Sequence, residues 1–409
     1  MRLLSYPIHI KTTSYAAFFF TLTIVSLNLI SAVFPALIIT SVNQYPSNLD
    51  PFELGPLAVP LIGTNVVLLG VGFAYYKKKL PQNIHKHIES VLNFEISKKT
   101  ALIAGIIILA IYVGLSIPEL AINEADQWPD FRILKDGLKI WPFGESSDIY
   151  VREQNDRYVR MFLLSASQEI FQNIKVLPFV ASITLVIVTY FLTSTISHKR
   201  FAGIASMMVL LQSHTFLEFD TIAVYENFWV LFYVLSLYVI YKRWYLSSIL
   251  YVLSVFTKAF VTPFLLMTIF SIYRANIGKK RKSLTLISYG LAVALILGIF
   301  VAGESIYGNL IRVDYTDFLI GFSAWYNQMR SDAFLIISIL PLTVGLFLAS
   351  KRGVFDADSI LVLLAGILLL GPILALFTNF YFILPYRYIP LVVFFAVGIG
   401  VFLSKKSAD

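Results

Sequence analysis

The chain has 409 residues, of which 58% are hydrophobic and only 14% charged, with a mean hydropathy of +0.77. That leaves too little polar surface to cover a soluble domain of this length, so the composition reads as an integral membrane protein. The net charge of +8 falls mostly in short loops between apolar runs, which marks topology and gives no reason to expect a nucleic-acid partner. With no cysteine, disulfides, thiolate metal sites and a cysteine nucleophile are excluded.

In chain order, Arg2 and Lys11 precede an apolar run from Ser14 to Ile39, too long for a signal-peptide core and read as a first span. The loop from Thr40 to Glu53 carries no Lys or Arg, and a second span, Leu54 to Tyr76, returns to Lys77, Lys78 and Lys79. The positive-inside bias places those lysines in the cytoplasm. Between them and Lys99, the spacing of Ile84, Ile88, Val91 and Leu92 predicts a helix lying on the inner headgroups. His85 and His87 within it lack an obvious third ligand nearby and read as an interfacial pair.

A third apolar run, Thr100 to Ile117, leads into the long polar stretch from Pro118 to Arg160. Its acids Glu119, Glu124 and Asp126 follow closely on the span and are expected near the outer headgroups, where they can meet the head of a lipid-linked substrate; a solvated loop is the plainer reading. Pro129 has the helix-start position, Asp130 is a first-turn acid and Gly137 is a plausible stop, which predicts a short surface helix. Asp126 then precedes a helix N-terminus, whose dipole favours the ionised carboxylate and suits a base or metal ligand. The segment from Arg157 to Asn173 reads as an interfacial helix feeding the next span.

Further spans follow with basic punctuation at His198 to Arg200, at Lys242 and Arg243, from Arg274 to Lys282, at Lys351 and Arg352, and at Lys405 and Lys406. The run from Trp244 to Tyr273 is interrupted at Thr257, Lys258 and Pro263. A hairpin of two short helices with its tip near Lys258 keeps both basic ends on one side. In the second outer loop, Trp325, Tyr326 and Tyr315 read as headgroup anchors or substrate platforms. The expected fold is an all-α polytopic membrane protein of about 11 to 13 membrane helices with both termini cytoplasmic. Residues 1–99 form a two-span segment with an amphipathic linker, and 100–406 a transmembrane core with outer loops at 118–160 and 304–332.

Charges also gather at the outer ends of the later spans. Asp220 and Glu226 flank the connection FDTIAVYENFW, Lys258 sits at the hairpin tip and Arg387 opens the last span in LPYRYIPL. Ionisable groups at such depth are costly and usually have a partner or a role, the plainer alternative being snorkelling to the headgroups. Lys258 and Arg387 can neutralise a lipid phosphate, and Asp220 and Glu226 are candidates to support an acceptor or a metal ion.

A cytoplasmic N-terminal side, the acids Glu124 and Asp126 at the start of a large outer loop, a surface helix, Lys258 in a short hairpin, and Arg387-Tyr388 ahead of Pro390 at the last helix together resemble the GT-C superfamily. These are membrane glycosyltransferases that use polyprenyl-phosphate sugars, including protein mannosyltransferases and aminoarabinose transferases. The likeness covers Thr100 to Lys406. It implies an extracytoplasmic site in which Asp126 or Glu124 deprotonates or orients an acceptor glycan, lipid or protein, while Arg387 and Lys258 bind the donor phosphate. The acids here are spaced Glu124-Ala125-Asp126 instead of adjacent, which leaves open which is the base and whether a divalent metal takes part. No Gly-rich phosphate loop, His-Glu-x-x-His site or Gly-x-Ser-x-Gly elbow is present. A lipid or solute transporter or flippase, and a non-catalytic subunit of a membrane complex, are the competing classes.

The topology is directly testable by tag accessibility. Tags within Lys77–Lys99 and Gly278–Ser283 are expected in the cytoplasm, and tags at Gly144–Ser147 and Gly308–Asn309 outside. A cytoplasmic Gly144 would overturn the assignment of the site to the outer face.

Overall fold

A computed structural model describes residues 8–41, 50–144, 146–148, 150–152, 157–302, 313, 315–377 and 384–404. Among these residues the chain is helical without strands: α1 (Ile8–Val33), α2 (Pro35–Ser41), α3 (Ala58–Tyr76), α4 (Gln82–Asn93), α5 (Lys98–Ser116), α6 (Asp130–Ile140), α7 (Tyr158–Phe171), α8 (Val176–Ser197) and α9 (Arg200–Leu211). There follow α10 (His214–Glu218), α11 (Phe228–Val239), α12 (Ser247–Thr257), α13 (Phe264–Arg274), α14 (Lys279–Ala302), α15 (Tyr315–Met329), α16 (Ala333–Lys351), α17 (Asp356–Phe377) and α18 (Ile389–Phe402). Eight helical segments are long and apolar enough to cross a membrane, and four apolar helices, α9, α11, α12 and α13, are shorter. The architecture is that of an all-α multi-pass membrane protein.

Helices α17 and α18 form the buried centre, whereas α3, α5 and α14 turn rows of apolar side chains outward, among them Val66, Ile106, Ile107 and Leu291. That inversion of the soluble pattern is what a lipid solvent permits. Helix α1 is tied to α17 by Ser14 Oγ donating to Asp358 Oδ2 at 2.7 Å and Thr21 Oγ1 donating to the Leu361 carbonyl at 2.9 Å.

The basic clusters meet at one end of the bundle. Lys199 Nζ donates to the carbonyls of Leu92 and Leu403, the Arg200 amide donates to Glu95, Arg274 pairs with Asp358, and Tyr241 donates to Asp356. Several helices leave this basic end but are too short to cross. Helices α11, α12 and α13 have 12, 11 and 11 residues, whereas α18 together with the 3-10 turn ahead of it, Pro385–Phe402, is one of the eight long segments. At 1.5 Å per residue the three short helices rise about 17 to 18 Å against a hydrocarbon thickness of about 30 Å. Their far ends, which carry the 219–227 connection and Lys258, therefore fall short of a full crossing, and Arg387, in the turn that opens the last segment, meets Lys258 there across Tyr386.

Several expectations need correction. The apolar run from Ser14 to Ile39 is not one helix: it breaks at Phe34, because Pro35 disfavours helical geometry in the residue before it and itself starts α2. Gly137 does not stop the surface helix, which runs on to Ile140; the glycine is buried within it. Of the stretch expected as the second outer loop, residues 304–312 and 314 lie outside the described residues, while Tyr315–Met329 forms α15, which packs against α17, where a Cβ on Gly321 would come within 2.5 Å of Pro372 Cα. Trp325 and Tyr326 are consequently core side chains, while Tyr315 stays exposed. Helix α4 lies within the expected amphipathic stretch, and His85 stacks on Tyr75 and faces Glu89 at 3.3 Å.

Helices α9 and α18 pack backbone to backbone. A Cβ on Gly400 would meet the Thr193 side chain and lie 2.7 Å from the Ala202 carbonyl oxygen. Gly400→Leu is expected to destabilise the protein by about 1–3 kcal/mol or more, read as a lower thermal unfolding midpoint in detergent.

Candidate functional site at the recessed level

The site is built around residues 219–227, a mostly non-helical stretch buried at a depth where water cannot satisfy its peptide groups. Backbone of this kind is tolerated in a membrane protein only where the protein itself supplies partners or the segment lines a cavity. Here the partners come from the polar stretch that follows α5. Glu124 is buried and accepts from the amides of Ala223 at 2.7 Å and Val224 at 3.1 Å, one through each carboxylate oxygen. Arg160, fully buried in α7, donates to the Val224 carbonyl at 2.7 Å and to Glu226 Oε2 at 2.8 Å. Burial pushes the Glu124 carboxyl above its ordinary range, opposed by the two amides and by the charges of Lys175 and Arg160. Lys175 clamps the loop preceding Glu124, donating to the carbonyls of Glu119 at 2.5 Å and Ile122 at 3.2 Å.

Asp220 is buried beneath this turn. Its Oδ2 accepts from Ser116 at 2.8 Å and its carbonyl accepts from Ser182 at 2.7 Å. The other carboxylate oxygen has no hydrogen-bond partner among the described residues. Glu226 is held in the ion pair with Arg160. Asp126 ends a short 3-10 turn, Glu124–Asp126, ahead of α6; it is exposed and without a side-chain partner among the described residues. The two acids of the Glu124-Ala125-Asp126 motif are thus physically unlike: one is consumed by backbone amides and the other is open to solvent.

The structure brings Lys258 and Arg387 together across one side chain, Tyr386. Lys258 Nζ lies 3.8 Å from the centre of the Tyr386 ring and 5.5 Å from that of Trp229. Arg387 Nε donates to the Tyr386 hydroxyl at 3.4 Å, and its guanidinium lies 5.7 Å from the Phe260 ring centre. Lys258 lies within electrostatic reach of Arg157, Arg387 and Glu226, and Arg160 within reach of Arg157 and of its ion-pair partner Glu226. Tyr386 stacks on Tyr225 with ring centres 4.5 Å apart, and the Tyr225 hydroxyl donates to Asp130 at 2.9 Å. An acid in the first turn of α6, where the helix dipole favours its charge, is thereby linked to the cation cluster through two stacked rings.

Arg160, Tyr386, Tyr225 and Asp130 are the members that sequence reasoning did not single out for the site. A signal existed for Arg160: it shares a helical face with Leu164 and Ser167, all buried, and an arginine on such a face calls for an acidic partner. No comparable signal existed for Tyr386, which becomes central only when the hairpin tip and the start of α18 meet. Among the described residues no three His, Cys, Asp or Glu side chains gather at metal-ligand spacing.

The division between the two acids predicts different stability effects. Glu124→Ala leaves two buried amides without an acceptor and is expected to cost about 1–3 kcal/mol for each group left unpaired, lowering the unfolding midpoint. Glu124→Gln keeps one acceptor and falls between, and Asp126→Asn leaves the midpoint unchanged; equal midpoints for all three variants would contradict the assignment. No family model matches the chain, and no match was found among curated proteins or solved structures.

Proposed function

We propose that the protein is a membrane glycosyltransferase of GT-C type that moves a sugar from a polyprenyl-phosphate carrier to an acceptor at the extracytoplasmic face. The observation that carries this reading is the convergence of Lys258 and Arg387 on Tyr386, with Arg157 within electrostatic reach, at the far ends of helices too short for a full crossing. A lipid phosphate arrives at such a level with its chain still in hydrocarbon. Cations held on rigid helix ends in a poorly hydrated setting stabilise phosphate charge far better than cations in water.

In this reading the acceptor hydroxyl gives its proton to a carboxylate as its oxygen bonds to the anomeric carbon, and the bond from that carbon to the phosphate oxygen breaks. The electron pair leaves with the phosphate, which Lys258 and Arg387 hold as charge grows on it. One displacement of this kind inverts the anomeric centre. Glu124 is excluded as the mobile base because both of its oxygens are engaged. Asp126, exposed on the loop side, takes that role, and Asp130 is the second acid within the same loop. Glu226 and Arg160 shape the turn that carries the site, and Asp220 fixes that turn to α5. Transport is the second reading, favoured by one feature: the buried non-helical backbone at 219–227 is of the kind that transporters build at membrane depth.

The test is transfer of labelled sugar from a polyprenyl-phosphate donor by purified protein, with donor binding followed separately. Arg387→Ala and Lys258→Ala should weaken donor binding and slow transfer together, because the phosphate is held in both the bound donor and the transition state. Asp126→Asn should lower turnover by about 10²- to 10⁴-fold with donor binding intact. Wild-type transfer by Asp126→Asn together with loss in Asp130→Asn moves the base to Asp130. Full transfer by all four variants would end this reading of the site.

A further inference from the structure

A polar cavity lies at the opposite, basic end of the bundle and plays no part in the proposed transfer. It has a volume of about 320 Å³ and is lined by His198, Tyr241, Lys242, Gly278, Arg281 and Asp356, among others. Four parts of the chain converge to form it. Helix α8 ends at His198, whose left-handed backbone (φ 55°) turns the chain towards α9. Tyr241 and Lys242 follow the end of α11, Gly278 precedes the 24-residue α14 and Arg281 sits in its first turn, while Asp356 begins α17.

The charge in this cavity is not balanced from within. The side chains of His198, Lys242 and Arg281 have no ion-pair partner among the described residues. The one acid, Asp356, already accepts from the Tyr241 hydroxyl at 2.6 Å. The first amides of α14 add the positive end of a helix dipole. The cavity also lies at headgroup level: Tyr245 and Tyr273 are exposed on the neighbouring elements at the same end, and Lys282 beside it reaches back to the Tyr273 carbonyl at 2.6 Å. Exposed tyrosines with basic neighbours at helix ends are the marks of a membrane interface.

We propose that this cavity binds the headgroup of an anionic phospholipid from the leaflet at the basic end, with the phosphodiester on Lys242, Arg281 and His198. At about 30 Å³ per water molecule the volume equals roughly ten waters, room for a phosphodiester and a small alcohol but not for acyl chains, which stay in the bilayer beside α8 and α14. Asp356 on the cavity wall repels a phosphate and accepts from a hydroxyl, so a glycerol headgroup is preferred. A choline headgroup brings a quaternary cation against three basic side chains and is disfavoured. Basic pockets between membrane helices on the cytoplasmic side are suited to this task.

The test measures the thermal unfolding midpoint of the purified full-length protein in neutral detergent, titrated with short-chain phosphatidylglycerol, phosphatidylcholine, or inorganic phosphate. The expected result is a saturable upward shift with phosphatidylglycerol alone. Lys242→Ala combined with Arg281→Ala should weaken the half-saturating concentration by about tenfold or more, while the unliganded midpoint stays put because both side chains are exposed. A triple change of Lys77, Lys78 and Lys79 to Ala, elsewhere at the basic end, should leave the titration as in the wild type. An equal shift with phosphatidylcholine would contradict the proposal, as would an unchanged titration in the double variant. A matching shift with inorganic phosphate would assign the cavity to a soluble anion and overturn the lipid. None of these outcomes depends on whether the protein transfers a sugar.

Discussion

Everything at the recessed end depends on how the 219–227 connection satisfies its backbone. A stretch of chain that is mostly non-helical and buried among membrane helices would be prohibitively costly if its amides and carbonyls were left alone. Glu124 takes two of the amides and Arg160 one of the carbonyls together with the Glu226 carboxylate. Asn227 donates back to the Phe219 carbonyl at 3.3 Å, which closes the turn on itself. Both principal clamps come from the long polar stretch from Pro118 to Arg160, which reaches into the first turn of α7, so that stretch is part of the internal framework as well as of the surface.

With the connection fixed, the short helices acquire a purpose. Helices α11, α12 and α13 stop early, and beside their far ends lie aromatic rings and cations. Lys258 rests on Tyr386 and Trp229, so its charge is held by ring faces and remains available to an anion. The neighbouring ion pair differs in kind. Arg160 and Glu226 neutralise each other in full burial, and breaking one partner would leave an isolated charge, which suits a structural strut better than a reactive group.

Much of the architecture was legible in the sequence because membrane topology is written in local composition. Apolar runs, the lysines after Tyr76 and the interruption at Lys258 each carry their meaning within a few residues. The break at Phe34 had a local signal too, Pro35, but the reading of Ser14 to Ile39 as one span passed over it. What could not be read depends on distant partners. Glu124 and Asp126 look equivalent in the chain, and only the amides of Ala223 and Val224, about a hundred residues away, tell them apart. Likewise Trp325 and Tyr326 read as interfacial aromatics until the packing of α15 against α17 shows them buried. Lys258 and Arg387 were singled out for their depth, but the ring that joins them, Tyr386, looks like any other tyrosine next to a span.

The central claim is that the recessed cation cluster receives a lipid phosphate, and the most direct measurement is a cryo-electron microscopy map of the protein incubated with a polyprenyl-phosphate sugar. The account predicts phosphate density between the Lys258 ammonium and the Arg387 guanidinium, with the lipid chain leaving sideways into the bilayer and the sugar towards the loop that bears Asp126 and Asp130. A map with no lipid at that level, and instead a solvent path running from the cluster through the midplane to the basic end, would contradict it.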